Sequence, residues 1–173
     1  MKDFLELSHE RYSVRQFDGC DIPDEDLEKI LDAGISAPTA VNLQPVRIWV
    51  FKSEQARKKL LSCTKMQFIA PAKVILMIGE KPQDAWVRPF DEMNFGIVDA
   101  SIVTTHMMLE IHDLGYGSTW IGHFDVNKVY ELFPETKGYE LVGLLPISGI
   151  AEGCTPSPRH TTCKDRNELI VTL

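Results

Sequence analysis

The spacing of apolar residues changes along the chain, and each change predicts an element. Leu27, Ile30, Leu31 and Gly34 recur at helical spacing behind Pro23 and an acidic run, Asp24-Glu25-Asp26, that suits the positive start of a helix. Ala37-Pro38 closes that helix. A shorter helix over residues 3–12 has a partial apolar face of Phe4, Leu5 and Leu7. Ile48–Phe51, Lys73–Gly79, Tyr116–Ile121 and Glu140–Ile150 are short apolar runs that read as strands. Ser53 and Asp125 stand where N-caps belong, the first ahead of Ala56, Leu60 and Leu61, the second ahead of a short helix reaching Phe133.

The longest helix is predicted from about Asp91 to Asp113. Phe95, Val98, Ile102, His106 and Leu109 form one apolar stripe, and Ile97, Ala100, Thr104, Met108 and Ile111 form another. A helix apolar on two sides belongs at the centre of a fold, with a face left for a subunit contact. Helices and strands without regular alternation predict an α+β class. Gly153–Arg166, with its Gly, Pro, Ser and Thr, reads as an extended arm, and Glu168–Thr172 regains strand character. An apolar strand after an exposed arm needs an edge, which a partner subunit could supply.

Length and composition narrow the class. The 173 residues suit one domain, 1–173, with 153–173 as its arm and final strand. Hydrophobic residues at 44% and charged residues at 25% exclude a disordered chain or a coiled-coil rod. Acidic residues outnumber basic ones 25 to 18, for a net charge of −7, which disfavours a nucleic-acid partner. The apolar run Leu141–Ala151 is too short for a bilayer, so no membrane partner is expected. The start shows no export signal, and Cys20, Cys63, Cys154 and Cys163 form no framework, so a reducing cytoplasm is the expected location.

Four segments could carry chemistry. Arg11 and Arg15 flank Tyr12-Ser13-Val14, and two guanidinium forks plus a hydroxyl suit a phosphate dianion. Ser36-Ala37-Pro38-Thr39-Ala40-Val41-Asn42-Leu43-Gln44-Pro45 pairs small residues with amides that can meet a heteroaromatic edge. Gly115-Tyr116-Gly117-Ser118-Thr119-Trp120-Ile121-Gly122-His123 permits close approach of backbone to a ligand, but it is no dinucleotide fingerprint. Pro156-Ser157-Pro158-Arg159-His160 puts a third arginine on the arm. Each alone has an ordinary reading: a solvated pair, a helix-to-strand loop, a strand with turns, an idle loop arginine. A thiol hydrolase built on a cysteine and a histidine lacks a nucleophile signature, and Cys154, His160 and Cys163 make a poor metal set. No metal site is expected.

Taken together, in this order, the segments resemble the nitroreductase family of FMN-dependent oxidoreductases over nearly the whole chain. Leu144-Leu145-Pro146-Ile147-Ser148-Gly149-Ile150-Ala151-Glu152 adds to the likeness. The departures are Val46, where many relatives carry Trp, and Ser148, inside what is often a Gly-Tyr-Pro pattern. The resemblance implies a mixed, mainly antiparallel sheet flanked by helices, and a homodimer exchanging C-terminal arms with flavin at the interface. Arg11, Tyr12, Ser13, Arg15 and Arg159 match the phosphate and ribityl contacts. Pro38, Thr39, Ala40, Asn42 and Gln44 match the segment that the second subunit lays against the ring. Trp120, Ile121, Gly122 and His123 match the strand end by the reactive edge, and Lys65 and Gln67 fall near the pyrimidine contact. NADH or NADPH is implied as electron donor, with a nitroaromatic, quinone or similar small acceptor served in ping-pong order. The flavin carries the hydride, so no side chain is nominated as a catalytic acid or base. On the same fold, a non-redox flavin-binding or remodelling protein, or a specialised dehalogenase or dehydrogenase, is the alternative. Residues 80–93 are placed as a candidate lid.

Overall fold

The structure, a computed structural model, describes residues 3–173. In chain order the elements are α1 (Phe4–Glu10), α2 (Asp24–Ile35), β1 (Val46–Phe51), α3 (Glu54–Leu61), β2 (Val74–Glu80), α4 (Gly96–Asp113), β3 (Gly117–Ser118), α5 (Val126–Leu132), β4 (Glu140–Ser148) and α6 (Arg166–Leu169). The class is α+β. Among the described residues, no helix is long and apolar enough to cross a membrane.

The four strands lie in the order β1-β2-β4-β3, and every ladder between them is antiparallel. The mixed character comes from one parallel bridge, Ser13 to Ser118, where the N-terminal segment joins β3. Strand β2 is buried throughout because helices cover both faces of the sheet. Its alternate residues serve two cores. Val74, Leu76 and Ile78 meet Ile30 of α2 and Val103, Met107 and Ile111 of α4. Ile75 and Met77 meet Leu60 of α3 and Val129 and Phe133 at α5.

The predicted caps form: Ser53 Oγ accepts from the Ala56 amide at 3.2 Å, and Asp125 Oδ1 from the Lys128 amide at 3.1 Å. Helix α4 starts at Gly96, later than the expected start near Asp91. Arg88 instead pairs with Asp91, and a bridge between Val87 and Asn94 folds the preceding segment into a tight loop. Phe90 stands at its tip, 94% exposed. The buried face of α4 is Asp99, Ala100, Val103, Thr104, Met107, Met108 and Ile111, so the second predicted stripe holds except for exposed Ile97. The strand expected at Tyr116–Ile121 pairs only at Gly117–Ser118 and again at Ile121. The strand expected at Glu168–Thr172 is instead a turn of helix, Arg166–Leu169, capped by Asp165. Among the described residues no strand pairs with that segment, and the Asp165 cap holds its helical turn.

Candidate functional site

The N-terminal segment leaves α1 at Arg11 and runs extended beside β3, with the Val14 amide donating to the Ser118 carbonyl at 2.9 Å. Val14 is buried, so residues on either side of it point outward. The arm returns across this segment, and its short 3-10 turn, Pro158–Thr161, is capped by Ser157. The result is a pocket of about 490 Å³ lined by Arg11, Tyr12, Ser13, Arg15, Ser157, Arg159 and His160. Three arginines and the serines Ser13 and Ser157 line it with Tyr12 and His160, and no carboxylate is among the lining residues. That donor set fits a phosphate monoester dianion, each oxygen of which takes charge-assisted hydrogen bonds. The residues present therefore fit the phosphate end of FMN. The Arg15 guanidinium also donates to the Ser13 carbonyl at 3.1 Å, which holds it along the segment. Burial, and a hydrogen bond from the Tyr12 hydroxyl to Cys154, push the Tyr12 phenol above its ordinary range, so it stays a donor.

The segment 38–44 does not reach this pocket within one protomer. It crosses the N-terminal half of α4, where Asp99 Oδ1 accepts the Ala40 amide at 2.8 Å. Val41, Asn42 and Gln44 have φ of 44°, 58° and 51°, the left-handed region that costs L residues energy. Thr39 Oγ1 accepts the Gln44 amide, and Gln44 Nε2 donates to Asn42 Oδ1. Pro38 and Asn42 are exposed, as are Val41 and Leu43 on either side of Asn42. The loop thus displays its side chains outward on a backbone held from below.

The third segment and the Lys65–Gln67 region lie together, because Thr64 Oγ1 donates to the His123 carbonyl at 2.6 Å. Ile121 pairs with Leu144, while Gly122 and His123 are exposed just beyond it. The Trp120 indole is turned against β4, its Nε1 donating to the Val142 carbonyl at 3.4 Å, so its side chain packs rather than faces a ligand. Lys65 is exposed, and Gln67 spends its Nε2 on the Leu61 and Thr64 carbonyls, leaving Oε1 as its spare polar atom.

Two acids were absent from the sequence reading of the site. Asp99 and Glu80 are each 1% exposed, and each has one buried oxygen, Oδ2 and Oε2, without a hydrogen-bond partner among the described residues. Burial first, then Glu140 and Asp99, push the Glu80 carboxyl up to about 7. Its carboxylate occupies the space a side chain at Gly96 would need, since a Cβ there would lie 2.0 Å from Oε2. An acid on the inward face of a predicted apolar helix was the available signal for Asp99. His160 and Ser157 also line the arginine pocket without having been nominated.

On the opposite side from the sheet, α4 carries an open apolar groove of about 760 Å³, with Phe4, Leu7, Ile97, Ile102, His106 and Leu109 among its walls. Val98, Ile102, His106 and Leu109 belong to the first predicted stripe, and Ile97 joins them from the second.

Comparison with known proteins adds to this geometry. A model of the Nitroreductase family matches residues 9–70 and 62–150. A protein of Archaeoglobus fulgidus, whose name proposes an NADH dehydrogenase or NAD(P)H nitroreductase, is 31% identical over 129 residues, 70% of this chain and 68% of that protein. A crystal structure of a nitroreductase family protein from Clostridium difficile superposes with a TM-score of 0.90 at 31% identity, covering 99% of this chain and 100% of that one. A structure from Exiguobacterium sibiricum, solved in complex with FMN, shares the fold at a TM-score of 0.85 and 21% identity, covering 100% of this chain and 98% of that one.

Proposed function

This chain belongs to the nitroreductase family, and from that premise we propose that it is an FMN-dependent NAD(P)H oxidoreductase acting as a homodimer on a nitroaromatic, quinone or similar small acceptor. FMN, when bound, supplies a two-electron carrier that takes hydride from NADH or NADPH and passes it to a second substrate in ping-pong order.

The pocket of Arg11, Arg15 and Arg159 is the observation that carries this reading. Its guanidinium groups come from opposite ends of the chain, with no lining carboxylate to neutralise them, and a dianion is the ligand that offsets their mutual repulsion. Ser13 adds a hydroxyl to the same lining. The loop 38–44 and the Gly122–His123 turn are not among the residues lining that pocket, which suits a ring system covered in part by the partner's copy of the loop. The groove along α4, exposed Val41 and Leu43, and the apolar tail Leu169–Val171 are surfaces a second copy would cover. The single domain of residues 1–173 then exchanges its terminal segment with the partner. A reducing cytoplasm suits its four free thiols.

Purified protein should be yellow or take up added FMN, and NADH or NADPH should bleach its flavin absorbance under anaerobic conditions. Colourless protein that takes up no FMN overturns the proposal. Flavin that binds but resists both nucleotides would replace it with a flavin-binding or remodelling role.

A further inference from the structure

We propose that His160 is a positioning residue, a latch that holds Arg159 in the anion pocket from within its own chain. The inference rests on the reading of that pocket as a phosphate site.

Between Thr155 and Leu173 every residue is exposed except His160. Nothing else in this stretch has burial to hold it against the rest of the protomer. The His160 Nε2 lies 2.9 Å from the His9 carbonyl oxygen. A carbonyl only accepts, so Nε2 carries the proton of that contact. His9 sits in the last turn of α1, where helix geometry leaves carbonyls without intrahelical partners. The arm's histidine thus satisfies an orphan acceptor of the first helix. Its ring also meets the Tyr12 ring edge-on, with centroids 6.1 Å apart and planes at 64°. Tyr12 in turn donates its hydroxyl to the Cys154 carbonyl at 3.4 Å, so the arm is tied to the N-terminal segment at both ends of residues 154–160.

The latch has electrostatic work to do. Arg159 is brought beside Arg11 and Arg15 with no carboxylate in the lining, and repulsion among the three favours an arm that swings into solvent. One hydrogen bond and one aromatic contact beside Arg159 oppose that motion before any ligand arrives. The pocket is therefore assembled in cis, and the boundary between the part of the arm that serves its own protomer and the free part falls near Thr162. This is narrower than exchange of the whole segment from residue 153.

The test is a double-mutant cycle with two flavins. FMN and riboflavin, which lacks the phosphate, are titrated into the native protein, R159A, H160A, H160Q and R159A/H160A. His160→Ala should weaken FMN about tenfold and leave riboflavin unchanged. The double variant should bind FMN no more weakly than R159A, because His160 acts through Arg159. His160→Gln keeps an N–H donor and should recover most of the affinity. Hydrogen exchange of the 159–162 amides reads the latch without flavin, and protection should fall in H160A. Additive losses, equal losses for both flavins, or native affinity in H160A would each overturn the latch. A native protein that holds riboflavin as tightly as FMN would instead overturn the phosphate assignment beneath it.

Discussion

Asp99 on α4 accepts the backbone amide of Ala40 through Oδ1 at 2.8 Å, across 59 positions of sequence. The loop above it holds three non-glycine residues at positive φ, so a buried carboxylate and a strained backbone support one another. Asp99→Ala leaves that amide without its acceptor and should cost about 1–3 kcal/mol in unfolding free energy. Asp99→Asn keeps an acceptor and should cost less. Urea denaturation measures the first effect, and faster hydrogen exchange at residues 40–44 in the alanine variant locates it.

Arg11→Ala removes one of the three cations of the anion pocket. The expected loss of FMN affinity is about 2 kcal/mol, roughly 30-fold, with riboflavin little affected. Fluorescence titration of the two flavins checks this. An equal loss for both would place Arg11 away from the phosphate.

Glu80 predicts a pH dependence of stability with a definite sign. Its carboxyl is raised from 4.5 to about 7 in the folded state by burial and by Glu140 and Asp99. Between those values the native protein holds a proton that the unfolded chain releases, so stability falls as pH rises through that window and levels off above it. Glu80→Gln removes the titration. The variant should match the native protein near pH 5 and exceed it at pH 8 by on the order of 1–3 kcal/mol. Thermal melts across the range settle the point, and parallel curves for the two proteins would exclude Glu80 as the source.

Gly143 on β4 leaves room for the Trp120 indole, since a Cβ there would lie 2.4 Å from Nε1. Gly143→Ala should displace the ring and cost about 1–3 kcal/mol through overpacking. Trp120 directly precedes the Ile121–His123 strand end, so tryptophan emission should shift together with any change in flavin affinity. A variant that melts and emits as the native protein does would mean that the strand yields instead.

Elements written in local periodicity were legible before the structure. The β2 run alternates between two cores, and Ser53 and Asp125 cap the helices they precede, because these effects act within a few residues. That Arg11, Arg15 and Arg159 share one pocket was legible through the resemblance of the segments taken together, since each arginine alone reads as an ordinary surface charge. What escaped depends on distant partners. The long helix was expected from about Asp91, where Arg88 instead pairs with Asp91 in a loop, and the Glu168–Thr172 segment looked like a strand but has no ladder partner among the described residues. Glu80 is buried by a glycine on another element, and the use of His160 depends on His9, 151 positions earlier. Such contacts leave no trace in spacing.

Because the anion pocket joins the first turn after α1 to the arm, a ligand seated there would act as a clasp between the two ends of the fold. Occupancy would then be readable as resistance to trypsin at Arg159, an exposed residue of that arm. Nicking that slows in proportion to added phosphate monoester would turn the tail into a built-in gauge of how full the site is.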